Sequence, residues 1–179
     1  MSTFEVNPYF RKVAKAKKKK NSSGATAALI ALDNARISYI ERAYEHQDGE
    51  KSFGAEAAEK LGRSSEQVFK TLMVSQEKDF AVCIVPVGTK LNLKAAAAAL
   101  GWKSAKMAYP SLAEKRTGYV VGGISPLGQK IAHRTLLDET AQLFDTILVS
   151  GGKRGLDVEL APDDLLTLVD GTYAAIAAA

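Results

Sequence analysis

A chain of 179 residues can bury a real core as one domain, and its 46% apolar and 25% charged residues are those of an ordinary globular protein. No apolar run reaches the roughly 18 residues of a membrane span, no apolar segment follows the N-terminal charges, and the one cysteine, Cys83, allows no internal disulfide; a cytoplasmic location is expected. The net charge of +4 is unevenly placed: residues 1–20 carry seven lysines and arginines against Glu5, which leaves −2 for the rest.

The basic segment 1–20 can attract phosphate without reading sequence, or it can serve as a solubilising arm. Asn21-Ser22-Ser23-Gly24 reads as a linker, which divides the chain into an arm over 1–25 and one domain over 26–179. Thr26 is placed to cap a helix over 27–35, with Leu29, Ile30 and Leu32 on its buried face. A strand is expected over 37–44, then an alanine-rich helix over 54–61 stopped by Gly62. Strands at 68–74 and 80–87 flank Glu77-Lys78-Asp79, a hairpin signal. A second alanine-rich helix, 91–100, ends at Gly101, and Pro110 opens a short one to Lys115.

An apolar, strand-like piece, Tyr119-Val120-Val121, runs into Gly122-Gly123-Ile124-Ser125-Pro126-Leu127-Gly128. Further strands are predicted at 132–137, 146–149 and 157–160, with a helical turn from Glu139 and a helix from Pro162 to Val169. The alanines over 174–179 read as a frayed helix end. Strands and helices mix without a βαβ count, so the expected class is α+β with a mixed sheet.

Little in this chain resembles a metal site or a nucleophile. His46, His133 and Cys83 have no ligand spacing, and Cys83 lies inside an apolar strand. Ser125 lacks the second glycine of a nucleophile elbow, and the following Pro126 has no N–H for an oxyanion hole. Gly152-Lys153-Arg154 lacks the Ser or Thr of a P-loop. Two glycine stretches, 117–128 and 149–157, end strands in exposed main-chain groups; the first reads as groups a ligand can reach or as a tight turn, and the second, with Lys153 and Arg154, as an anion or ester-oxygen site or as a charged hairpin loop. Lys70 is the one charge in Val68-Phe69-Lys70-Thr71-Leu72-Met73-Val74. It shares the apolar face, so either a cleft or anion accepts it or it snorkels at a strand edge.

Ala43-Tyr44-Glu45-His46, Ser52-Phe53-Gly54, Val68 through Leu72, and the runs 117–128 and 149–160 together resemble the YbaK/EbsC-type aminoacyl-tRNA deacylases, relatives of the editing insertion of prolyl-tRNA synthetase. The similarity covers about residues 26–175 and is strongest to the branch that clears cysteine mischarged onto tRNA for proline. It implies a mixed, barrel-like sheet flanked by helices, no cofactor or metal, Cys-tRNA as substrate, and action in trans beside prolyl-tRNA synthetase. By position, Lys70 is the family's essential lysine. Tyr44, Phe53, Thr71, Gly122, Ser150 and Asp157 match the pocket for the aminoacyl group and terminal adenosine.

In that branch the substrate's thiol attacks its own ester, so no protein nucleophile is needed. Backbone N–H groups near Gly122 and Gly123 would stabilise the oxyanion, and Lys70 would orient the substrate and favour its thiolate. Hydrolysis of alanine from the same tRNA, or a non-catalytic tRNA adaptor that uses the basic arm, are the competing expectations. The arm itself departs from the family pattern.

Overall fold

The computed structural model describes residues 24–179, and the basic arm expected over 1–25 lies outside it but for its last two residues. Helix α1, Ala27–Asn34, starts where the Thr26 side chain accepts the Leu29 N–H at 3.2 Å. The same hydroxyl donates to the Gly151 carbonyl at 2.5 Å, tying the helix start to a distant strand. Ala28, Leu29 and Leu32 form the buried face; Ile30, expected there, is 48% exposed. At 100° per residue it falls across the helix from Ala28 and Leu32.

Strand β1 is shorter than expected, Ile40–Ala43, and α2 is Phe53–Leu61, closed by Gly62 in the left-handed region that a glycine adopts freely. The hairpin is present: β2, Phe69–Gln76, pairs antiparallel with β3, Asp79–Pro86. A short β4, Lys90–Leu91, precedes α3, Leu93–Leu100, capped by Asn92, and β5 is Lys106–Met107. Helix α4, Pro110–Thr117, carries Pro110 where its missing N–H is harmless. Then come β6, Arg134–Asp138, a one-turn helix over Glu139–Leu143, β7, Ile147–Lys153, β8, Leu156–Leu160, and α5, Pro162–Val169.

Two expected elements take another form. Tyr119-Val120-Val121 is not a strand but the entry to a tight turn, with Gly122 at φ +89° and Val120 more than half exposed. The alanine tail is extended rather than helical, forming β9, Thr172–Ala174, and β10, Ala177–Ala178. Buried Asp138 takes the Ile176 and Ala177 N–H groups at 2.9 and 2.8 Å, and Ile176 is fully buried, so tertiary contacts override alanine's helix preference.

The class is α+β, with a mixed five-stranded sheet ordered β5-β2-β3-β6-β9 in which β3, β6 and β9 run parallel. A three-stranded sheet, β1-β8-β7, and the pair β10-β4 complete the strands. The barrel does not close as one sheet; the two larger sheets meet through a single parallel bridge between Val68 and Leu148. β3 explains its own apolar run. Val82 and Ile84 face the main core with Leu32, Leu137 and Val158, whereas Ala81, Cys83 and Val85 face a second core with Leu100 and Ile176.

Candidate functional site

Where β2 diverges from β7 and β8, a cavity of about 510 Å³ opens, bounded also by the start of α2, the start of α4 and the Gly122 turn. A volume of that size suits a nucleoside-sized ligand. Tyr44, Phe53, Lys70, Thr71, Gly122, Ser150 and Asp157 all line it, although they come from separate stretches of chain. Gly123 does not. Its N–H closes the turn onto the Val120 carbonyl at 2.9 Å, and an added Cβ would stand 2.8 Å from Lys153 Cα, so it packs the two glycine stretches together. Of the two amides expected to serve an oxyanion, the one on Gly123 is therefore engaged; the Gly122 N–H has no acceptor among the described residues.

Lys70 sits on β2 opposite Val85, and its Nζ donates to the Thr89 carbonyl at 2.7 Å. No carboxylate pairs with it among the described residues, and burial pushes its ammonium below the ordinary lysine value. Of its three N–H donors one is used, which leaves the others for a ligand. Beside it the Thr71 Oγ1 is buried without a hydrogen-bond partner, a polar atom whose cost a substrate group could relieve.

Asp157 and Glu159 share one face of β8, yet their surroundings differ. Glu159 accepts from Arg42 and Arg63, each at 2.9 Å, and from Thr146 at 2.7 Å. Asp157 has no cationic partner among the described residues, and burial pushes its carboxyl up to about 7. Desolvation, with Asp157 nearby, raises the Tyr44 phenol to about 12. Ser150, opposite Asp157 across the β7–β8 pair, accepts the Gly152 N–H at 3.2 Å and has no base attached among the described residues.

Phe53 walls the mouth. The His46 ring lies 5.7 Å away, centroid to centroid, and the Arg154 guanidinium 4.9 Å from the Phe53 centroid. His46 is fixed by Glu56 at 3.0 Å. Arg154, expected as part of an anion site, instead donates to the Val121 carbonyl, while Lys153 is exposed. An added Cβ on Gly122 would stand 2.7 Å from the Phe53 ring, so only glycine lets the turn approach it.

The remaining candidates lie elsewhere. Ser125 is fully buried and accepts the Leu127 N–H; His133 is held by Arg116 and Gln129. Cys83 is fully buried and burial pushes its thiol up to about 12. Among the described residues no cluster could hold a metal ion, and no helix is long and apolar enough to cross a membrane. Lys51, Met107, Ala108 and Pro110 also line the cavity, and no local motif pointed to them because the entry to α2, β5 and the start of α4 carry them there.

The chain matches the family model of the aminoacyl-tRNA editing domain over residues 49–168. It is 38% identical over 160 residues to an Enterococcus faecalis protein, EbsC, named as a candidate Cys-tRNA(Pro)/Cys-tRNA(Cys) deacylase, covering 88% of this chain and 96% of that one. An uncharacterised Bacillus subtilis protein, YwhH, is 32% identical over 111 residues, covering 62% of this chain and 70% of that one. A solved structure described as a candidate trans-editing enzyme for prolyl-tRNA synthetase superposes with a TM-score of 0.74 at 23% identity, over 89% of this chain and 100% of that one, a likeness of fold.

Proposed function

The chain belongs to the aminoacyl-tRNA editing domain family, and on that premise we propose that it is an aminoacyl-tRNA deacylase that removes cysteine mischarged onto tRNA for proline. The observation that carries this reading is the make-up of the cavity wall. Among the described residues it offers an inward lysine, an unpartnered threonine hydroxyl and a glycine N–H, but no cysteine or histidine and no serine paired with a base. An enzymic nucleophile would need such a base within hydrogen-bond reach. A substrate that brings its own thiol does not.

In this scheme the Sγ of the bound cysteinyl group attacks its own ester carbonyl carbon. The new C–S bond closes a strained thiolactone, the C–O bond to the terminal ribose breaks, and the thiol proton ends on the ribose oxygen. Lys70 draws the thiolate and orients it, and the Gly122 N–H receives the developing oxyanion. Holding thiol and carbonyl together removes much of the entropic barrier. Action in trans beside prolyl-tRNA synthetase, in the cytoplasm, and a catalytic domain spanning 26–179 complete the proposal.

A second reading has one observation behind it. Asp157, in the wall with its carboxyl near neutrality, suits a general base for water and hence hydrolysis of alanyl-tRNA. A small pocket separates alanine from cysteine by only about 1–3 kcal/mol, so chemistry must decide. The test is turnover of tRNA for proline charged with cysteine, S-methylcysteine or alanine. Self-cleavage predicts turnover of the cysteinyl ester alone, and a loss of about 10²-fold or more for Lys70→Ala. Equal cleavage of the methylated ester would refute cyclisation; rapid alanine release that Asp157→Asn abolishes would establish the second reading.

A further inference from the structure

The turn that carries the Gly122 N–H is held from outside by a charge. Gly123 N–H to Val120 carbonyl closes four residues, and Gly122 in third place has φ +89° while Val121 has no positive φ. That is a type II turn. Its central peptide, Val121–Gly122, belongs to no ladder, and such a peptide can turn over unless something grips it.

Arg154 grips it. Its Nε and Nη2 donate to the Val121 carbonyl at 2.9 and 2.8 Å, and its guanidinium rests 4.9 Å from the Phe53 ring that also packs against Gly122. In a planar trans peptide the C=O and the next N–H point in opposite directions. Fixing the carbonyl on Arg154 therefore aims the Gly122 N–H away from Arg154, and it has no protein acceptor among the described residues. A cation on the carbonyl also polarises the amide and makes its N–H a stronger donor.

We propose that Arg154 is a positioning residue for the reaction: through the Val121–Gly122 peptide it orients and strengthens the one amide that receives the oxyanion. The inference rests on the deacylase reading. Lysine would be a poor replacement, because a point charge cannot give the two parallel donors of the guanidinium fork.

The experiment compares the full chain with Arg154→Ala and Arg154→Lys. Arg154 is exposed, so neither change opens a core, and thermal melts confirm folding. With Cys-tRNA(Pro), Arg154→Ala should lower kcat by about 10- to 100-fold with KM nearly unchanged, Arg154→Lys should recover part, and added guanidinium should partly rescue the alanine variant. The Gly122 amide in ¹H–¹⁵N spectra should shift in Arg154→Ala even without substrate. A loss confined to KM that disappears at low salt would make Arg154 a phosphate contact and overturn the proposal, as would an unmoved Gly122 resonance. An inactive wild type would overturn the deacylase reading itself, and the Gly122 resonance would still report whether Arg154 holds the peptide.

Discussion

Asp157 and Glu159 stand two positions apart on one strand face, and among the described residues Glu159 has two guanidinium partners and Asp157 none. The sign for Asp157 follows from linkage. Its carboxyl is raised from 3.8 to about 7, so between those values the folded protein keeps a proton that the unfolded chain releases. Stability should therefore fall as pH rises from about 4 to about 7, and level off above. Asp157→Asn should flatten that slope, read as denaturation midpoints across the range; an unchanged slope would show that Asp157 is not its source. Lys70 and the Gly122 turn were legible from the chain alone, as a lone lysine in an apolar strand and a run of glycines, whereas Tyr44, Phe53, Thr71, Ser150 and Asp157 came only with the family resemblance. Arg154 was legible only as charge. Its use on the Val121 carbonyl depends on two loops meeting, which no spacing along the chain encodes.

At the scale of elements, Thr26 does two tasks. It caps α1 and bonds the Gly151 carbonyl, so it joins the first helix to the strand that carries Ser150. Thr26→Ala should cost about 1–2 kcal/mol, at the upper end for a cap, measured by urea titration, and Thr26→Ser should restore most of it. A loss of only a few tenths would mean that the bond to Gly151 adds nothing. Helices were readable where a glycine stopped an alanine-rich run, as with α2 and α3. Two segments misled for opposite reasons. Tyr119-Val120-Val121 is apolar enough for a strand, but Glu114 takes the Val121 N–H at 2.9 Å, Arg154 takes the Val121 carbonyl and the Gly123 N–H takes the Val120 carbonyl. The alanine tail has the best helix formers, yet a buried carboxylate claims two of its amides.

For the whole molecule, charge and chemistry are separated. The body carries a small negative balance, while the basic residues of 1–20, outside the described structure, dominate the net charge. If that segment binds tRNA, its deletion should weaken the complex and make the salt dependence shallower by about 0.9 in log–log slope for each phosphate the segment neutralises, with kcat at saturation preserved. An unaltered slope would place the phosphate-binding groups on the body, with Lys51 at the cavity mouth the first to test. The mixed order of the five-stranded sheet was foreseeable as a class, whereas its division from the β7–β8 hairpin was not, because one residue pair, Val68 and Leu148, forms the join.

Cys83 lies between Leu72 and Leu136 in the middle of that sheet, sealed from solvent. A freed thiolactone is an acylating agent, and a loose substrate sulfhydryl seeks partners for mixed disulfides. The folded chain exposes no thiol to either, so on the proposed reading an editor of cysteine cannot link itself to its own cargo through a disulfide.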